Sequence, residues 1–315
     1  MRWEDFRRSD NVEDARDGGG GFAGGGSLGG GGMGLPTGGL GIGTIIVIAL
    51  IAWALGINPL VLLGGADILQ GGGSGGTQAR YDQPTQPRTS RNSPPQDQTG
   101  GFISAVLGNT EDIWGQIFSE AGQTYQRPKL RLFSGAEQTP CVYAQAAMGP
   151  FYCPIDQRVY LDTSFFRDLQ KKFGACDSDK ACQFSEAYVI AHEIGHHVQN
   201  LLGILPKVQQ AQQRAGDKAT ANQLQVRVEL QADCLAGVWA NRSNKRQQFI
   251  EPGDVEQALQ TASAIGDDRL QRQSRGYVVP DSFTHGTSEQ RKRWFMTGLK
   301  EGTVQACNTF NTAQL

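Results

Sequence analysis

From Gly18 to Ala66 the chain carries no charged residue, and this window decides how the rest can be organised. Its first part, Gly18 to Gly39, holds fourteen glycines in twenty-two residues. Such a stretch has too little apolar surface to offset the entropy of ordering it. Its second part is apolar: Leu40 to Leu63 reaches the roughly 20 residues that cross a bilayer core. A buried core helix would need partners nearby, yet glycine-rich stretches flank both ends. A cleaved signal peptide, for which Ala52-Trp53-Ala54 has the right form, fits poorly because the region before it is long and not basic. One uncleaved transmembrane helix over 40–63 is therefore expected.

Met1 to Asp17 sets four Arg against six acidic residues, and with the glycines it reads as a flexible segment over 1–39. Gly64 to Gly101, rich in Gly, Ser, Gln and Pro, reads as an extended linker over 64–101. One globular domain is then expected over 102–315, long enough for a sizeable core. Its six cysteines all lie after position 140 and none forms a C-x-x-C pair, which argues against a thiolate zinc site and for disulfides. The pairing expected is Cys141–Cys153, Cys176–Cys182 and Cys234–Cys307. Disulfides point to an oxidising compartment. That gives a cytoplasmic amino terminus and an extracytoplasmic, or periplasmic, domain on a single-pass anchor in a bacterial inner membrane. A net charge of −2 carries no basic signature, so nucleic acid is not an expected partner.

Within the domain, short β-type runs are expected at Lys129–Phe133, Val142–Ala146 and Arg158–Asp162, separated by Gly and Pro. Apolar spacing predicts helices over Asn109–Ala121, Ser164–Phe173, Gln183–Leu202, Pro206–Ala215, Ala221–Asn241, Gly253–Ile265 and Ser288–Lys300. Thr287 with Gln290 has the form of a capping box for the last. The expected fold class is α+β, a small antiparallel sheet followed by a helical bundle.

The chemistry is concentrated in His192-Glu193-Ile194-Gly195-His196. On a helix this spacing puts two imidazoles on one face, one turn apart, where both can bind one Zn²⁺. The glutamate between them can then reach an activated water. A catalytic zinc needs a third protein ligand, and Gln199 and Leu202 rule out the histidine continuation of metzincins. A carboxylate from a later helix remains. Glu229 is assigned as ligand and Asp233, four residues on, as hydrogen-bond partner of a ligating imidazole, with Asp233 as ligand the rival assignment. His197 points about 100° further round the helix and reads as a surface or supporting histidine. His285 is an oxyanion donor or a plain loop histidine with equal reason. Arg291, Lys292 and Arg293 read as a solvated face, with a brace for the site the alternative for Arg291.

Together these residues resemble the bacterial neutral zinc metallopeptidase family (YpfJ-like proteins). The blocks that carry the resemblance are Gly149–Pro154, Val159–Asp162, Ala191–Gln199, Glu229–Cys234 and Thr284–Arg291, with the glycine-rich start and its apolar span. The resemblance implies a zincin-like domain with a gluzincin site, in which a glutamate, here Glu229, is the third ligand. It adds weight to His285 as oxyanion donor. It also implies a short edge strand that holds the substrate backbone, for which Arg158–Asp162 is the expected segment. The activity implied is hydrolysis of peptide or protein substrates, with Glu193 as general base and one zinc per chain. The alternative is a membrane-tethered binding or scaffolding protein whose zinc is structural or vestigial.

Overall fold

Met1, Trp3, Phe6 and Val12 punctuate a largely polar amino terminus, and all four are buried. The computed structural model describes residues 1–16, 95, 97–171 and 179–315, which fall in one compact unit made of Met1–Gly19 and Arg91–Leu315. Trp3 meets Phe102 edge-on at 5.4 Å and Phe6 packs on Phe249 at 5.2 Å. Strand β1 (Val12–Asp14) then joins a sheet, and Arg16 pairs with Asp97 at 2.8 Å. The expectation of a flexible start therefore fails for residues 1–16. Four apolar side chains and a strand outweigh a composition that looked solvated. The rest of 1–39, the span Leu40–Leu63 and nearly all of the linker 64–101 lie outside the described residues. Among the described residues no helix is long and apolar enough to cross a membrane.

Helix α1 (Gln98–Glu120) starts eleven residues before the expected Asn109, because Asp97 caps it by accepting from Gly100 N. Its glycines hide a buried run that includes Phe102, Ile103, Val106 and Leu107. Strands β2 (Lys129–Phe133), β3 (Ala136–Gln138), β4 (Tyr143–Gln145), β5 (Phe151–Cys153) and β6 (Arg158–Asp162) follow. Alternation in β2 buries Leu130 and Leu132. The main sheet has the order β1-β2-β6-β5, and β3 pairs with β4 in a separate hairpin. The sheet is mixed where an antiparallel one was expected: β1, β2 and β6 are parallel, and only β5 is antiparallel. The β3–β4 hairpin and β5 occupy the connection from β2 to β6, so β6 can return in the direction of β2. Consequently Arg158–Asp162 lies between two strands, and the expected edge strand is instead β5.

The remaining elements are helical: α2 (Ser164–Lys171), α3 (Asp179–Leu201), α4 (Ile204–Arg214), α5 (Lys218–Gln247), α6 (Asp254–Ala264), α7 (Asp267–Arg275) and α8 (Ser288–Glu301). All but α7 were expected, and the Thr287–Gln290 capping box is formed. The mixed α+β class stands. Disulfides join Cys141 to Cys153 and Cys234 to Cys307, as expected; the third expected pair includes Cys176, outside the described residues. The helices α3 and α5 form the floor of the site. Gly195 lets them close up, since a Cβ there would lie 3.0 Å from the Ala232 carbonyl oxygen.

Candidate metal centre

The close crossing at Gly195 brings His192 and His196 of α3 against Glu229 of α5. Glu229 Oε2 lies 3.2 Å from His192 Nε2 and 3.4 Å from His196 Nε2. Donor atoms of the three residues fall within 4.8 Å of one another. Two donors each about 2.1 Å from a tetrahedral zinc stand about 3.4 Å apart, so the donor set fits such an ion. Gln225 donates to the other oxygen of Glu229 at 2.8 Å.

The far side of each imidazole is also specified. Asp233, wholly buried, receives His192 Nδ1 at 2.8 Å on Oδ1. A carboxylate only accepts here, so Nδ1 carries a proton, and in the neutral ring Nε2, on the side of Glu229, is the nitrogen with the lone pair. His196 Nδ1 meets Gln199 Oε1 at 2.8 Å. The Gln199 amide donates to Val228 O at 2.8 Å and to Gln231 Oε1 at 3.0 Å. With both N–H groups used, its oxygen faces His196, and again Nε2 carries the free lone pair.

The imidazoles and carboxylates of the cluster shift one another. Burial opposes protonation of His192, yet Asp233 and Glu229 outweigh it and raise its pKa. His196 is raised too, against burial, chiefly by Glu229. Burial alone would lift Glu229, but His196, His192 and His285 hold it well below the usual carboxylate range. Glu193 behaves differently: it is 7% exposed and burial pushes its pKa up. A carboxyl group beside the cluster that resists ionisation is a stronger base once ionised.

Sequence reasoning placed His192, Glu193, His196, Glu229 and Asp233, and the fold brings all five together. His285 sits at the margin, its side chain 46% exposed. Asp267 Oδ2 accepts from the backbone N–H of Thr284, His285 and Gly286, and Oδ1 lies 3.3 Å from His285 Nδ1. Desolvation lowers the His285 pKa, but Asp267 and Glu229 raise it overall. Asp267 was not anticipated, since nothing local ties it to a residue eighteen positions later.

Three further residues differ from expectation or were missed. Of the two readings of His197, surface or supporting, burial removes the first, since it is 0% exposed. Its Nε2 meets Gln126 O at 2.6 Å and its Nδ1 meets the Tyr152 hydroxyl at 3.0 Å. Asn200 also donates to that hydroxyl at 3.0 Å, so α3 grips the edge strand β5. Arg291 is buried against Asp233, and only its neighbours in the charge run face out. Gln199 was read only as breaking a motif, although it lies three residues after His196 on one helix face.

A family model described as "Putative neutral zinc metallopeptidase" matches residues 1–310. The chain is similar to protein YpfJ of Escherichia coli (strain K12), with 49% identity over 310 residues, 98% of this chain and 99% of that one. It is also similar to protein Rv2575 of Mycobacterium tuberculosis (strain ATCC 25618 / H37Rv), with 43% identity over 220 residues, 67% of this chain and 70% of that one. No solved structure matches.

Proposed function

Since this chain belongs to the neutral zinc metallopeptidase family, we propose that it hydrolyses peptide bonds, with zinc held by His192, His196 and Glu229 and with Glu193 as general base. The observation that carries the reading is the convergence of two imidazole Nε2 atoms on one carboxylate oxygen of Glu229. Among the described residues the cluster has three donors, which favours an open catalytic site over a closed structural one with four protein ligands. Zinc, when bound, makes water acidic enough to attack at neutral pH and polarises the scissile carbonyl.

The chain's own residues do the rest. Glu193 takes the proton from the attacking water and delivers it to the leaving amine. His285, oriented by Asp267 through Nδ1, presents its other nitrogen to the oxyanion. Strand β5, which among the described residues pairs on one side only, offers its other edge to a substrate segment in extended form. Tyr152 ties that edge to α3, the helix of His192 and His196, through His197 and Asn200. The zincin-like, gluzincin-type arrangement expected from the sequence is part of this proposal. So is a membrane setting, since Leu40–Leu63 is long enough to enter a bilayer.

The test is Glu193→Gln in the full chain. Zinc content should stay at one ion per chain while cleavage of a peptide library falls by about 10²–10⁴-fold, and a chelator should stop the parent protein. A Gln variant that cleaves as fast as the parent would sink the assignment of the base. A chelated parent that still cleaves would sink the zinc reading altogether.

A further inference from the structure

We infer that Arg291 is a positioning residue for the metal centre: its guanidinium fixes the Asp233 carboxylate, and Asp233 fixes the His192 ring. The inference rests on the zinc reading above. Arg291 is 3% exposed and Asp233 is 0% exposed. Arg291 Nε donates to Asp233 Oδ2 at 2.8 Å and Nη2 donates to Oδ1 at 2.9 Å. One hydrogen bond would leave the carboxylate free to turn about its Cβ–Cγ bond; a two-point fork does not. The Tyr188 hydroxyl closes the same side, donating to Oδ1 at 2.5 Å. The direction left open on Oδ1 is the one His192 Nδ1 fills at 2.8 Å. The fork is itself anchored, because Nη1 donates to Ile265 O at 3.3 Å. Helix α8 can reach this far because Gly298 touches α5 backbone to backbone, where a Cβ would lie 1.9 Å from Cys234 O. The orientation of a proposed ligand on α3 is thus set from α8, a helix that supplies no ligand.

Arg291→Met and Arg291→Lys in the full chain test this, with zinc affinity read by competition with a chromogenic chelator. The visible spectrum of the Co²⁺-loaded protein reports ligand geometry, and far-UV circular dichroism reports the fold. Loss of an outer partner costs about 10–100-fold in metal affinity, and the Met variant should fall in that range with an altered Co²⁺ band. Lys should restore only part, since an ammonium cannot fork. Asp233→Asn with Arg291→Met should bind zinc no worse than Asp233→Asn alone, because Arg291 acts through Asp233. Parent-like affinity and Co²⁺ band in both single variants, or additive losses in the double variant, would overturn the inference. Should Met prevent folding, Lys is judged by the same two readouts. None of them needs turnover. A parent that binds zinc and cleaves nothing refutes the peptidase reading while leaving Arg291 in place.

A separate observation concerns the membrane. Both flanks of the interval between Arg16 and Asp97 belong to one core. Arg16 Nη1 and Nη2 reach Asp97 at 2.8 and 2.9 Å. β1 pairs in register with β2, from Val12 on Leu130 to Asp14 on Leu132. Ser9 and Asn11 donate to the buried Glu111 of α1 at 2.7 Å each. We propose that the two flanks lie on the same side of any membrane the chain enters. One crossing would put a hydrocarbon layer of about 30 Å between groups in hydrogen-bond contact. This replaces the opposite-sided, single-pass arrangement expected from the sequence.

Two full-length variants decide it, Asp5→Cys in the exposed part of the arm and Glu289→Cys, whose side chain is 82% exposed on α8. Each is treated in intact cells and spheroplasts with a membrane-impermeant maleimide, with the parent chain as background. The two sites should be labelled together or protected together. Labelling of one with protection of the other would overturn the proposal.

Discussion

His192 and His196 stand one turn apart on one helix, present the same nitrogen to the same carboxylate, and yet are held from behind by different chemistry. Behind His192 lies a charged bracket: a wholly buried carboxylate that takes bonds from Tyr188, from two nitrogens of Arg291 and from the ring itself. Behind His196 lies a neutral one. There the Gln199 amide spends its donors on Val228 O and Gln231, and Gln231 donates onward to Cys307 O at 2.9 Å. Both brackets choose the same tautomer. They differ in what happens when a member is removed, because a stranded buried charge costs far more than a stranded dipole. The tautomer needs only an acceptor; the charge on the Asp233 side requires a partner of its own, and Arg291 is that partner.

The largest effect should come from Asp233→Ala, which leaves Arg291 buried without its counter-ion. Breaking a buried pair from one side costs about 3–5 kcal/mol, readable as a shift of the urea midpoint. Adding Arg291→Met should recover much of that loss. No recovery would mean that the penalty does not come from the stranded guanidinium.

A third imidazole on the same helix sharpens the contrast by titrating the other way. Burial holds His197 down to about 4 from 6.5, against a partial lift from Gln126 O. A folded-state pKa below the unfolded one means that the unfolded chain binds more protons in between. The stabilisation is complete above pH 6.5 and is lost as the pH falls through 4, at a cost of about 3 kcal/mol. Urea titrations across that window should show a shallower pH slope for His197→Asn than for the parent. Equal slopes would mean that His197 is not neutral in the fold.

The legible part of the centre was the part written at helical spacing. His192, Glu193 and His196 lie within five positions, and Glu229 and Asp233 within five more, so two short windows held the proposed ligands, the base and one bracket. Arg291 was masked by Lys292 and Arg293, although its spacing to Trp294, Phe295 and Gly298 marks the buried face of α8. The amino-terminal arm was not legible, because its contacts with Glu111 span about a hundred positions and local composition says nothing of them. Strand limits at Lys129–Phe133 and Arg158–Asp162 could be read from alternation, but the parallel direction and the place of β6 inside the sheet depend on partners far along the chain. The edge strand was misplaced for that reason.

The smallest expected effect probes the neutral bracket. Gln199→Ala leaves the His196 Nδ1–H and the Gln231 carbonyl without partners, a cost of about 1–3 kcal/mol. Zinc affinity should drop by about tenfold, less than for Asp233→Ala. Gln199→Glu is the sharper variant, since it gives His196 a carboxylate like the one behind His192. Among the described residues, no Lys or Arg is hydrogen-bonded to the Gln199 side chain. The groups it would meet, Val228 O and Gln231 Oε1, are both acceptors. The Glu variant should therefore be less stable than the Ala variant despite restoring an acceptor to His196. If it instead unfolds at the parent's urea midpoint and holds zinc more tightly, a carboxylate suffices behind either ring, and the guanidinium is not what makes Asp233 tolerable in the core.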